Sequence, residues 1–170
     1  MNPKLDLVFG RRSIRKYKDE PVPEEMVQDI LDAAMAAPSA CCKDPWHLTV
    51  VTSKDLLAKI AEGLPHGGML ADAPLGIVVC GDMDKAHDNQ ESYMLQDCSA
   101  AIQNILLAAH ALGLGACWLG VHPREDRIEH IRNLLGTPDN IVPVSAIAIG
   151  RPAEQKEPRT RFDESKISRK

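Results

Sequence analysis

Apolar residues recur at helical spacing along several stretches of this chain and gather into short continuous runs along others. Met26, Val27, Ile30, Leu31 and Ala34 share one face, so residues 24–36 are predicted to form an amphipathic helix. Pro23 suits its first turn, Glu24 and Glu25 suit the positive end of its dipole, and Pro38 stops it. Residues 3–9 read as a short opening helix capped by Gly10. His47 to Val51 reads as a strand, and Ser53 as the cap of a helix over 54–62 that Gly63 closes. Residues 63–74, rich in glycine and proline, read as a loop. The run Leu75-Gly76-Ile77-Val78-Val79-Cys80 reads as a buried strand.

The longest pattern follows. Leu95, Cys98, Ile102, Ile105, Leu106, Ala109 and Leu112 repeat at helical spacing, with small residues filling much of the remainder. A helix over 91–112 with so little polar surface is expected to be buried on several sides, in the core or in a subunit contact. Residues 115–121 form a further strand candidate. A helix after Pro123 carries Ile128, Ile131, Leu134 and Leu135 and closes at Gly136, and a last strand spans roughly 142–149. From Arg151 onward the chain turns polar and charged. Alternation of helices and strands by itself points to a layered α/β domain with parallel connections as the default. No repeat or low-complexity tract interrupts the pattern, and residues 1–170 read as one domain with a C-terminal arm at about 151–170.

Composition narrows the function classes. The 170 residues are 44% hydrophobic and 26% charged, ordinary globular values. A net charge of −4 and only 4% aromatics argue against a nucleic-acid partner. The N-terminal residues are polar and no apolar run reaches the length of a membrane span. Five cysteines (Cys41, Cys42, Cys80, Cys98 and Cys117) match neither a zinc site nor a secreted disulfide framework, so a reduced, cytoplasmic protein is expected.

Chemistry concentrates at Arg11-Arg12-Ser13-Ile14-Arg15. Three guanidinium forks and a hydroxyl within five positions suit a phosphate monoester, although basic runs are also commonly a solvated face. Arg159 and Arg161 form a second basic pair near the end. The adjacent Cys41 and Cys42 lack the spacer of a dithiol redox motif. Trp46 and Trp118 read as core or interface, and His47, His110 and His130 as structural rather than metal-binding. Asp97 is an acid on an apolar helix that needs a partner.

Taken in order, several segments resemble the nitroreductase family of flavin enzymes. They are Arg11-Arg12-Ser13-Ile14-Arg15-Lys16-Tyr17, Ala37-Pro38-Ser39-Ala40 with Pro45-Trp46-His47, Gly113-Leu114-Gly115-Ala116-Cys117-Trp118-Leu119-Gly120 after the long helix, and Ile149-Gly150-Arg151-Pro152-Ala153-Glu154 with Arg159 and Arg161. The resemblance spans essentially the whole chain. It implies an α+β fold with a mixed, mostly antiparallel sheet flanked by helices, replacing the parallel default. It also implies an intertwined homodimer with FMN at the subunit interface, the 91–112 helix as dimer core and the arm crossing onto the partner.

The resemblance further places Arg11, Arg12 and Ser13 on the FMN phosphate and ribityl chain and Arg15 toward the ring. Pro38, Ser39 and Ala40 would line the ring from the other subunit, Leu119 and Gly120 would bring backbone amides to it, and Arg159 and Arg161 would complete the phosphate grip. Where the family carries an asparagine and then a glutamine before its Pro-Trp pair, this chain has Cys42 and Asp44. A thiol is a poorer hydrogen-bonding group than an amide, which alters the contacts expected of Cys42. The implied activity is hydride transfer from NADH or NADPH through FMN to a small acceptor such as a nitroaromatic or quinone. The cofactor carries the chemistry, so no side chain is nominated as acid, base or nucleophile. The alternatives are an FMN store without turnover and a different flavin reaction on the same fold.

Overall fold

The computed structural model describes residues 2–170. Its centre is one four-stranded sheet in the order β1-β2-β4-β3, formed by β1 (Trp46–Val51), β2 (Leu75–Asp82), β3 (Gly115–Gly120) and β4 (Ile141–Gly150). All three strand pairings are antiparallel. The six helices are α1 (Asp6–Gly10), α2 (Glu24–Met35), α3 (Lys54–Glu62), α4 (Gly68–Asp72), α5 (Glu91–Ala111) and α6 (Glu125–Leu135). The fold is therefore α+β, and the parallel arrangement suggested by alternation alone is corrected. Continuous apolar strands are common in parallel sheets because helices cover both faces. Here the same double cover is laid over an antiparallel sheet, so the hydrophobic pattern looks the same.

Strand alternation divides the core in two. Leu75, Ile77 and Val79 of β2 meet α2 and α5 on one face. Val78 and Cys80 meet α3, α4 and α6 on the other. α5 buries Met94, Cys98, Ile102, Ile105 and Ala109 but leaves Ser99, Ala100, Leu107 and Ala108 half-buried. Within one chain α5 packs on the sheet, on α2 and on α1, and no residue from Asp97 to His110 is fully exposed, in keeping with the expected burial on several sides.

Most elements fall where periodicity places them. Ser53 caps α3 by accepting from the Leu56 N–H, and Gly136 closes α6 in the left-handed conformation at φ +64°. α4 departs from the pattern, being a single short helix inside the stretch that reads as a 63–74 loop. Gly10 is the last residue of α1 rather than a left-handed cap.

Beyond β3 the sheet edge is finished by two segments far apart in sequence. Ser13 makes a parallel bridge to Ala116, with the Ile14 N–H donating to the Ala116 carbonyl at 3.0 Å. A Cβ on Gly115 would lie 2.7 Å from Ile14 Cβ, so only glycine lets the segment approach this closely. Tyr17 then bridges Pro152 in the arm. The arm returns along the same segment: Lys18 N–H donates to the Arg151 carbonyl, Ala153 N–H to Lys16, and Arg159 N–H to Phe9. Residues 151–159 thus run along, and bond to, the 9–18 segment of their own chain.

Candidate functional site

The segment after α1 is extended from Arg11, which places successive side chains on opposite sides of the chain. It is held on one side by β3 and on the other by the arm. Lys156 Nζ donates to the Ser13 carbonyl at 2.6 Å, the Arg15 N–H to a Glu154 carboxylate oxygen at 2.5 Å, and Arg12 to the Glu157 carbonyl. The Tyr17 hydroxyl lies 2.6 Å from the Ile14 carbonyl and 3.2 Å from that of Ala148, and burial pushes its pKa well above the ordinary tyrosine value.

The consequence is a convergence of charge. Val8, Arg11, Arg12, Ser13, Arg15, Lys156, Arg159 and Arg161 line one cavity of about 580 Å³, with no acidic side chain in its wall. Among the described residues, Lys156 is paired with Glu154 at 3.1 Å. None of the five arginines forms an ion pair among the described residues. Arg11 Nε is buried without a hydrogen-bond partner. Unpaired guanidiniums facing one space repel one another, and a bound dianion relieves that cost through charge-assisted bonds.

Arg15 also lines a second cavity, of about 220 Å³, with Leu64, Pro65, His66, Gly67, Cys117, Trp118, Leu119, Gly120 and Arg127. Leu119 is buried, while a Cβ added at Gly120 would meet nothing within 4 Å. The absent side chain leaves room at the end of β3 for a flat group to reach the backbone. Trp118 is 38% exposed beside it, rather than in the core. Burial pushes the Cys117 thiol up, so it remains protonated.

Pro38, Ser39, Ala40 and Cys42 line neither cavity. They lie in the loop between α2 and β1, where Cys41, Cys42 and Asp44 all take left-handed backbone conformations. The loop is fixed by the Ala40 N–H donating to Asp97 Oδ1 at 2.9 Å, and by the Ser39 hydroxyl donating to Asp44 Oδ1 at 2.5 Å. The carboxylate that departs from the family pattern is thus engaged within its own loop. His130 is structural, its Nε2 lying 2.8 Å from the Lys59 carbonyl.

The model of the Nitroreductase family matches residues 8–66 and 62–151. The chain belongs to the nitroreductase family. It is 50% identical over 163 residues to a Methanothermobacter thermautotrophicus protein named as a candidate NADH dehydrogenase/NAD(P)H nitroreductase, across 96% of this chain and 84% of that one. A crystal structure from Parabacteroides distasonis, of a protein named in the same way, superimposes with a TM-score of 0.93 at 41% identity, covering 99% and 98% of the two chains. A candidate nitroreductase from Desulfovibrio desulfuricans, solved in complex with FMN, gives 0.84 at 34% identity, covering 100% and 98%.

Within this nitroreductase-family chain, the cavity residues that sequence reasoning missed include Lys156, His66, Arg127 and Trp118. Lys156 is hidden among the alternating charges of the arm. His66 and Arg127 lie in segments that carry no motif, and Trp118 reads from its surroundings as core. Only the packing of the 64–67 loop and α6 against the end of β3 brings the last three together.

Proposed function

We propose that this protein is an FMN-dependent oxidoreductase that passes hydride from NADH or NADPH to a small acceptor such as a nitroaromatic or a quinone. The observation that carries the reading is the meeting of Arg11, Arg12 and Ser13 with Arg159 and Arg161 around one cavity without a counter-ion. The residues present fit the cofactor: a phosphate dianion suits the unpaired guanidiniums, and the open space over Gly120 suits a planar ring. FMN, when bound, supplies the hydride chemistry.

The chain's own groups supply the rest. Arg11, Arg12, Arg159 and Arg161 would grip the phosphate, with the Ser13 hydroxyl as a neutral donor. Loss of one such charge-assisted bond costs about 1.5–3 kcal/mol of affinity. Arg15, shared by both cavities, would span from the phosphate side to the ring, and the backbone at Leu119 and Gly120 would face the ring edge. Pro38, Ser39, Ala40 and Cys42 would reach the ring of a partner subunit in a homodimer. The protein's nitroreductase kinship and its relative's NAD(P)H-based name support the donor, and the FMN-bound Desulfovibrio structure supports the cofactor.

The deciding experiment is the visible spectrum of the purified protein before and after anaerobic addition of NADH or NADPH. A flavin spectrum that bleaches is the expected result. A colourless protein that takes up no added FMN would overturn the reading.

A further inference from the structure

We infer that Arg127 is a further cofactor-site residue whose positive charge, beside that of Arg15, raises the reduction potential of the flavin held there. The inference rests on the FMN reading above.

Arg127 is the third residue of α6. A cation in a helix's first turn opposes the dipole, so helix stability gives no reason for it there. Its side chain instead reaches back to the end of β3, where Nη1 donates to the Gly120 carbonyl at 2.8 Å. This anchors the guanidinium at the strand end whose Gly120 leaves space open. Nε is buried without a partner. The neighbouring acid, Asp126, pairs with Arg124 at 3.5 Å, and Arg127 has no ion pair among the described residues.

The cavity that Arg127 shares with Arg15 and His66 has no acidic side chain in its wall. Two guanidiniums in a space this small repel each other unless a ligand brings negative charge. Hydride transfer supplies it. A hydride carries two electrons and one proton, so the cofactor gains one unit of negative charge as NAD(P)H becomes NAD(P)⁺. Fixed cations at that end therefore favour the reduced form over the oxidised one, with no reorganisation needed at the moment of transfer.

The test is the midpoint potential of the FMN-loaded protein, measured by spectroelectrochemistry for wild type, Arg127→Gln and Arg127→Lys. Each variant keeps an N–H able to meet the Gly120 carbonyl; only lysine keeps the charge. Arg127→Gln is expected to shift the ratio of reduced to oxidised affinity about tenfold, or ~30 mV downward for a two-electron couple. Read on protein saturated with FMN, Arg127→Lys should keep the wild-type potential. An unchanged potential in Arg127→Gln, or one equally lowered in Arg127→Lys, overturns the inference while leaving the FMN reading intact. A wild type that takes up no FMN overturns that reading itself, and this inference with it.

Discussion

Asp97 is the one charged side chain buried among the described residues, 5% exposed on the core face of α5. Its Oδ1 accepts from the Ala40 N–H, and its Oδ2 is buried without a partner. A half-satisfied buried carboxylate is costly, so the bond that holds Ala40 is made against a penalty. Asp97→Asn keeps an acceptor for that N–H and removes the charge, whereas Asp97→Ala strands the N–H. Urea unfolding should show the alanine variant less stable by about 1–3 kcal/mol, with the asparagine variant losing distinctly less. Equal losses would mean that the Ala40 bond is not what Asp97 contributes. At the same scale, burial drives the Cys80 and Cys98 thiols up to about 12, leaving them as protonated packing groups.

Among the elements, β3 and the arm decide the site. β3 is a sheet edge, and its open side takes up residues 13 and 14, while the arm closes over residues 12–18. Glu154 is the latch between them. The Arg15 backbone N–H, and then Lys156, hold its carboxyl below the ordinary glutamate value. A carboxyl lowered on folding contributes stability that is complete above its unfolded pKa and is lost as pH falls through the folded value. The arm is therefore expected to loosen at acid pH, below about 4.5. The amide resonances of Ala153 and Arg159 should report it by NMR. Glu154→Gln should remove that pH step, and an identical acid transition in the variant would exclude Glu154 as its source.

For the molecule as a whole, α1 and the residues around it leave Leu5, Leu7 and Val8 exposed at 46%, 42% and 51%, and Phe162 in the arm at 70%. Grouped apolar exposure of this kind commonly marks a contact surface. Sedimentation equilibrium is expected to give twice the chain mass. A monomer that binds FMN at full strength would remove the 38–42 loop of a partner from the site. Among the described residues, no helix is long and apolar enough to cross a membrane.

Helix positions, strand positions and the arginine clusters were legible in the chain itself, because periodicity and caps act within a few residues. The antiparallel sheet was not legible from periodicity, since a strand covered on both faces reads alike in either direction; it came from the resemblance. Nor was the path of the arm legible, since charged, aperiodic residues carry no pattern that says which surface they will follow. Residue identity by itself determined that arginines would be available for an anion. The resemblance set Arg159 and Arg161 on the same phosphate as Arg11 and Arg12; only the tertiary structure decided that they meet within one chain, and that Arg127 and His66 join Arg15 at the end of β3. Those meetings depend on edge pairing and helix packing between segments far apart along the chain.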